Sequence, residues 1–290
     1  MQNRRSFLKA TGTLASGLLI GRSAFSMDDF ASKGSIKKFG LQLYSLRTDL
    51  PNDPKGVLKQ VASFGYKQIE SYEGKQGMFW GMSNKEFKKY MDELGMTIVS
   101  SHCNINNDFE TKAAQAGEIG MKYLICPSLG GANKSLDDFK RAAEKFNACG
   151  EICKKNGLKF AYHNHGYSFE TMEGQLPQDI LMQNTNKDTV DFEMDIYWVV
   201  TAGADPIAWL DKYPGRWKLC HVKDRKKDAA AGDHDASIDL GVGNIDFKKI
   251  LKASTSKGME YFIVEQERYD NSTPLKSAAA DAAYMKKLKL

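Results

Sequence analysis

No Cys-x-x-Cys pair occurs among the five cysteines of this 290-residue chain. That absence, together with the odd count, excludes a zinc knuckle and a complete disulfide framework. Cys103, Cys126 and Cys220 lie inside apolar runs, where a free thiol packs as a small hydrophobe. Cys149 and Cys153 stand four apart in a helical stretch, on one face but without making a bridge. Also missing is a Gly-rich or Arg-rich cradle for phosphate. A surplus of charge is absent from the body of the chain. Four of the 41 bases, Arg4, Arg5, Lys9 and Arg22, fall in the first 26 residues, which hold no acid, and the remaining 37 face 36 acids. A protein that neutralises many phosphates needs clustered positive charge, so no nucleic-acid partner is expected.

What the N-terminus does contain is an address. Asn3-Arg4-Arg5-Ser6-Phe7-Leu8-Lys9 resembles a twin-arginine export motif, the apolar run Ala10–Ile20 follows, and Ala24-Phe25-Ser26 has the small-x-small spacing of a signal-peptidase site. The apolar run is shorter than the ~20 residues of a comfortable membrane span. Residues 1–26 are therefore expected to be removed on export to the periplasm, with no stable membrane span in the mature protein.

From residue 36 onward, eight short apolar runs recur: Phe39–Ser45, Gln68–Tyr72, Thr97–His102, Tyr123–Pro127, Leu158–His163, Val190–Tyr197, Trp217–Lys223 and Tyr261–Glu267. Amphipathic segments separate them, among them Pro54–Phe64, Asn84–Leu94, Phe109–Ile119, Leu136–Lys155, Pro206–Tyr213 and Phe247–Lys257. Such alternation predicts parallel strands crossed by helices, and eight units at this length predict a single-domain (β/α)8 TIM barrel over residues 36–290. Gly65, Gly95, Gly120, Gly157 and Gly258 each stand where a helix stops and a left-handed C′ residue is needed.

In such a barrel the chemistry lies at the C-terminal ends of the strands. Those ends carry Glu70, His102, His163 with His165, Asp195, His221 with Lys223 and Asp224, and Glu265 with Glu267. Two imidazoles and two carboxylates on consecutive strands, His163, Asp195, His221 and Glu265, form a donor set for one divalent ion: Mn²⁺, Zn²⁺, Co²⁺ or Fe²⁺.

The succession Tyr162-His-Asn-His165, Phe192-Glu-Met-Asp-Ile-Tyr-Trp198, Cys220-His-Val-Lys-Asp224, Leu240-Gly-Val-Gly-Asn-Ile-Asp-Phe247 and Val264-Glu-Gln-Glu267 resembles the xylose isomerase-like TIM barrels, the sugar phosphate isomerases and epimerases. The resemblance covers about Ile36 to the C-terminus. It implies a metal held at the ends of strands five to eight, by position His163, Asp195, His221 and Glu265. Two departures stand out. The strand-five ligand of the epimerases is commonly Glu, where this chain has His163, and a histidine common after the strand-six Asp is replaced by Trp198. An epimerase with two opposed glutamates deprotonates one face of a carbon and reprotonates the other. With one glutamate fewer, the resemblance shifts toward members that cleave 3-keto-glycosides by elimination.

The expected chemistry is removal of a proton beside a carbohydrate carbonyl, with the ion stabilising the enediolate. His165, His102 and Glu265 are the candidate bases, in that order. Glu70, Lys223, Asp224 and Trp198 are candidate substrate contacts, and Tyr44, Tyr72, Trp80, Tyr167 and Tyr197 are further aromatics for stacking on sugar faces. The polar segment Arg225–Asp239, with His234, is expected to be a lid or solvated loop, and Gly241 and Gly243 to turn the chain before Asp246 caps a helix. Two other functions fit parts of the pattern: a carbohydrate-binding barrel without catalysis, and an abasic-site endonuclease-like metal enzyme. The near-neutral body weighs against the second.

Overall fold

The structure is a computed structural model that describes residues 36, 38–130 and 135–290. The export signal expected over residues 1–26 lies outside the described residues. Among the described residues ten strands and nine α-helices follow in order: β1 Gly40–Gln42, α1 Pro54–Phe64, β2 Gln68–Tyr72, α2 Asn84–Glu93, β3 Thr97–His102, α3 Phe109–Glu118, β4 Tyr123–Cys126, α4 Leu136–Lys155, β5 Lys159–His163, α5 Pro177–Asn184, β6 Val190–Asp195, α6 Ile196–Thr201, α7 Pro206–Lys212, β7 Trp217–Val222, β8 Asp224–Arg225, β9 Ser237–Ile238, α8 Phe247–Ser256, β10 Tyr261–Val264 and α9 Pro274–Lys287. Eight of the strands, all but β8 and β9, close a parallel barrel in the order β1-β10-β7-β6-β5-β4-β3-β2. The (β/α)8 barrel expected from the alternation is thus the fold. Among the described residues no helix is long and apolar enough to cross a membrane.

The five junction glycines have φ between +65° and +101°, the left-handed region that other residues adopt at a cost. Helix starts are equally local: Ser83 and Ser135 form capping boxes with Glu86 and Asp138. The run Val190–Tyr197 is cut short, however. Asp195 Oδ1 accepts the Trp198 N–H at 3.1 Å and so caps α6, which turns Ile196–Thr201 away from the barrel. The amphipathic segments singled out from the sequence do not include α5, only eight residues long, or α9, which buries Ser277, Ala278, Asp281, Ala282 and Met285.

Strand side chains alternate between the barrel axis and the helix layer. On β6, Phe192 and Met194 join the outer hydrophobic core, while Asp191, Glu193 and Asp195 occupy the alternate positions. Asp191 pairs with Tyr123 Oη (2.9 Å) and Lys159 Nζ (3.1 Å), next to the small inner cluster of Tyr123, Ile125, Ala161 and Leu219. Glu193 and Asp195 meet the polar residues of the other strands.

The segment Arg225–Asp239 is not a free loop. Its ends pair as the β8–β9 ribbon, the Arg225 guanidinium donates to Ala229 O and Ala230 O, and Tyr197 Oη donates to Asp233 O and accepts from Ala236 N. The next turn is tied down by Asp281, whose Oδ1 accepts Leu240 N at 2.7 Å. Burial, aided by Asp239 and Asp224, pushes the Asp281 carboxyl well above its ordinary range. A carboxyl whose folded pKa exceeds the unfolded one makes folding less favourable as pH rises beyond the unfolded value of ~4. Asparagine keeps an acceptor and never ionises. Asp281→Asn should therefore raise the melting temperature more at pH 8 than at pH 4, as scanning calorimetry at the two pH values would read.

Candidate metal centre

Two tiers of donors meet inside the C-terminal end of the barrel and share one imidazole. The upper tier is His163, Asp195, His221 and Glu265, whose donor atoms lie within 4.8 Å of one another. His163 Nε2 is 3.1 Å from His221 Nδ1 and 3.3 Å from Asp195 Oδ2, and His221 Nδ1 is 3.2 Å from Glu265 Oε2 and 3.6 Å from Asp195 Oδ2. An ion bound tetrahedrally at ~2.0–2.1 Å separates its ligand atoms by roughly 3.3–3.4 Å. The residues therefore fit a small divalent ion with little adjustment.

The outer nitrogens fix the tautomers. His163 Nδ1 is 3.0 Å from Pro127 O, and His221 Nε2 is 2.8 Å from Glu70 Oε1. A carbonyl and a carboxylate only accept, so those two nitrogens carry the protons. The opposite nitrogens then face each other at 3.1 Å, each with a lone pair and with two carboxylates beside them. Such an arrangement is repulsive unless a cation stands between them. Without an ion, a second proton on His221 has to serve: burial opposes its charge, but Glu193, Glu265 and Asp195 outweigh burial and hold its pKa well above the ordinary imidazole value.

The lower tier is Glu70, His102, Glu193 and the other nitrogen of His221. His102 Nε2 lies 2.8 Å from Glu193 Oε2 and 3.1 Å from Glu70 Oε1. Glu70 also accepts from Gln42 Nε2 (2.7 Å) and Ser100 Oγ (2.6 Å). Burial works against charge on Glu70, yet His102 and His221 hold it well below the carboxylate range; burial and then the Glu70 charge raise Glu193. Burial lowers His102, but Glu70 and Glu193 prevail and push it up to about 9.

Lys223 closes the upper tier. Its ammonium, fully buried, sits 2.9 Å from Asp195 Oδ2, 2.9 Å from Glu265 Oε2 and 2.8 Å from Glu267 Oε2. Burial disfavours its charge, but those carboxylates raise its pKa well above the usual value, and in return Lys223, His163 and His221 hold Asp195 far down. Glu265 is lowered in the same way by Lys223 and His221.

These placements sort the residues expected at the site. His163, Asp195, His221 and Glu265 come together. His165 lines the cleft, half exposed as a residue, with Nδ1 buried and unpartnered among the described residues; burial, His163 and Lys223 lower its pKa well below the ordinary value. His102 also lines the cleft, but with its pKa raised to about 9 it is charged near neutral pH and donates rather than accepts a proton. Glu265 lines the cleft as well, and its contacts with Lys223 and His221 are both made through Oε2. Trp198 lines the cleft, 5.3 Å from His165 between ring centres.

Glu70 is not at the substrate surface: it is fully buried beneath His221 and serves that imidazole. Asp224 is not among the cleft-lining residues either. Its oxygens accept the backbone N–H groups of Arg225, Gly241, Gly243 and Ile245, and a Cβ on Gly243 would come within 2.2 Å of Asp224 Oδ1. The second glycine of the Gly-x-Gly motif therefore admits a carboxylate, not a phosphate. Nor is Lys223 free to grip substrate, since its three N–H groups meet three carboxylates.

Sequence reading missed Glu193, and it placed Glu267 at a strand end without a role. The first was legible as Asp191-x-Glu193-x-Asp195, a two-residue spacing that turns all three acids to one strand face.

The Glu70–His221 bond carries a prediction. A carboxylate behind a metal-binding imidazole fixes its orientation, and its loss typically weakens metal affinity by about 10- to 100-fold. Glu70→Gln should do so in a Zn²⁺ titration by calorimetry, since an amide can turn its N–H₂ toward His221 Nε2. Unchanged affinity would show that the lower tier does not orient the upper one.

Residues 58–288 match the family described as xylose isomerase-like TIM barrel. An inosose dehydratase of Clostridium perfringens is 32% identical over 165 residues, 52% of this chain and 54% of that protein. The chain thus spans about half the length of the curated relatives it matches. A crystal structure of a sugar phosphate isomerase/epimerase from Parabacteroides distasonis ATCC 8503 is 30% identical, with a TM-score of 0.71 over 89% of this chain and 96% of that one. The fold is also that of the IolI protein crystallised with a zinc atom, with a TM-score of 0.69, 18% identity, and 86% and 95% of the two chains covered.

Proposed function

The chain belongs to the xylose isomerase-like TIM barrel family, and from that premise we propose that it is a divalent-metal-dependent enzyme acting on a keto-sugar. In this reading His163, Asp195, His221 and Glu265 hold the ion, and His165 removes the proton from the carbon beside the carbonyl. The observation that carries it is the pair of imidazole nitrogens, His163 Nε2 and His221 Nδ1, facing each other at 3.1 Å between two carboxylates. When bound, the ion acts as a Lewis acid toward a carbonyl oxygen and the hydroxyl beside it.

His165 is suited to the proton because it is neutral: burial with two cationic or polar neighbours, His163 and Lys223, disfavours its imidazolium. Its ring is held by a parallel stack on Tyr167, 5.5 Å between centres, and by Trp198. His102, charged across the cleft floor, offers a hydrogen bond to an oxygen gaining negative charge.

Loss of that proton opens two outcomes. A proton returned to the neighbouring carbon gives isomerisation or epimerisation. Departure of the oxygen on the next carbon gives elimination, with the C–H electron pair forming the double bond and the C–O pair leaving with the oxygen, which takes up a proton. Elimination is favoured here for two reasons. His163 stands where the epimerases commonly carry the second glutamate, and the dehydratase relatives are named for loss of water. A 3-keto-glycoside is the substrate class that fits this outcome.

The test is incubation of the metal-loaded protein with a 3-keto-glucoside in D₂O. Metal-dependent release of the aglycone supports elimination; deuterium uptake with the glycoside intact supports epimerisation. Neither, with or without Mn²⁺, Zn²⁺, Co²⁺ or Fe²⁺, would leave a carbohydrate-binding barrel. Export through the motif at residues 3–9 belongs to the same reading, and N-terminal sequencing of periplasmic protein for a start near Met27 tests it.

A further inference from the structure

The cleft does not end at the metal quartet. It holds about 780 Å³ and runs across the barrel mouth to the loops after β2 and β3. A hexose needs roughly 200 Å³, if each of its heavy atoms takes somewhat less than the ~30 Å³ share of a water molecule. One ring at the quartet therefore leaves most of the cleft open.

Its far side has an aromatic wall held from behind. Tyr44, 38% exposed, stands edge-on to Tyr72 at 5.2 Å, and Tyr72 edge-on to Trp80 at 5.0 Å. The Arg47 guanidinium lies 4.7 Å over the Tyr44 ring and is itself anchored on Glu267 O (2.9 Å) and Tyr269 Oη (3.1 Å). Trp80 is held at φ +55°, with its indole N–H on Ser71 Oγ and its ring beneath Gly74, where a Cβ would come within 3.1 Å. A bulky residue in that backbone region is strained, and such strain concentrates at ligand sites.

Polar groups with unused capacity stand beside this wall. Glu73 takes Asn104 N (2.7 Å) and Lys112 Nζ (2.8 Å) on Oε2, while its Oε1 accepts nothing among the described residues. The Asn104 side-chain oxygen accepts Asn106 N (2.9 Å), and its amide N–H₂ has no partner among the described residues. An aromatic face with a few fixed donors and acceptors is how a protein recognises a ring carrying hydroxyls.

We propose that this side of the mouth is a second subsite, and that the substrate is a two-ring glycoside. The ring bearing the carbonyl lies at the quartet, and the ring joined to it through the glycosidic oxygen packs on Tyr44 and Tyr72 and hydrogen-bonds Glu73 and Asn104. The proposal rests on the reading that a keto-sugar ring binds at the quartet.

The test is calorimetric titration of the Zn²⁺-loaded protein with two ligands: a 3-keto-glucose, and a disaccharide carrying the same keto ring joined to glucose through CH₂ in place of oxygen, which cannot be cleaved. The wild type should bind the two-ring ligand at least tenfold more tightly. Tyr44→Ala should reduce that preference severalfold. Asn104→Ala, whose side chain is exposed, gives the same readout should Tyr44→Ala fail to fold. Equal affinities in the wild type, or a preference that survives both variants, overturn the subsite and leave the metal-site reading standing. Failure of both ligands to bind in a metal-dependent way overturns the function proposed above and the subsite with it.

Discussion

The His163→Ala protein should bind Zn²⁺ or Mn²⁺ at least ~100-fold more weakly than the wild type, because it loses one of four donors where even an outlying partner is worth 10- to 100-fold. Its kcat/KM on a keto-sugar should fall by about 10³, the several kcal/mol that a bound ion contributes to charge stabilisation. His163 is the informative position because little else depends on it. Outside the quartet its hydrogen bond goes to Pro127 O, and leaving one acceptor unpaired costs about 1–3 kcal/mol. The chelated variant should thus melt within several degrees of the chelated wild type, so that lost affinity is not lost fold. His221 would be a poorer choice: its removal strips Glu70 and Glu193 of a partner in the buried lower tier. Wild-type metal affinity in His163→Ala would sink the upper tier as the metal site.

Lys223→Met should lower the melting temperature of the metal-free protein by roughly 10 °C. The lysine is the ammonium shared by Asp195, Glu265 and Glu267, and removing one partner of a buried ion pair costs about 3–5 kcal/mol. Addition of a saturating divalent ion should restore at least half of the loss. An ion held by the quartet would draw on the same two carboxylates as the ammonium, Asp195 and Glu265, so either could compensate their charge. Thermal melts with and without Zn²⁺ give the comparison. An equal drop in both states would mean that ion and lysine do not share those carboxylates.

The pH dependence follows from the directions of the shifts. Asp195 and Glu265 have folded pKa values below the unfolded ones, so their contribution is present above the unfolded value of ~4 and is lost as pH falls through the lower folded values. Lys223 has a raised folded pKa, so its contribution is complete below the unfolded value of ~10.4 and is lost only at higher pH. The difference between wild type and Lys223→Met should therefore be flat from pH 6 to 9 and shrink below pH 4.

The sequence by itself determined the barrel and the upper donors, since both are written in local patterns. Five glycines at helix stops and eight apolar runs specify alternating strands and helices, because a left-handed C′ residue and a strand buried on both faces are requirements of the chain segment itself. His163, Asp195, His221 and Glu265 were legible because each lies at or within two residues of the end of an apolar run, and in a closed parallel barrel all such ends converge at one rim.

Tertiary structure alone decided which polar groups serve which. From the sequence Glu70 and Asp224 were assigned to strand ends together with Glu265, yet one is sealed beneath His221 and the other spans a turn of backbone amides. Lys223 has its neighbour Asp224 in sequence but pairs with carboxylates from β6 and from beyond β10. Hydrogen bonds and ion pairs are settled over a few ångströms across the barrel axis, by strand register and side-chain reach. Composition and spacing record which donors a strand carries, whereas only closure of the sheet brings each one within bonding distance of a particular partner.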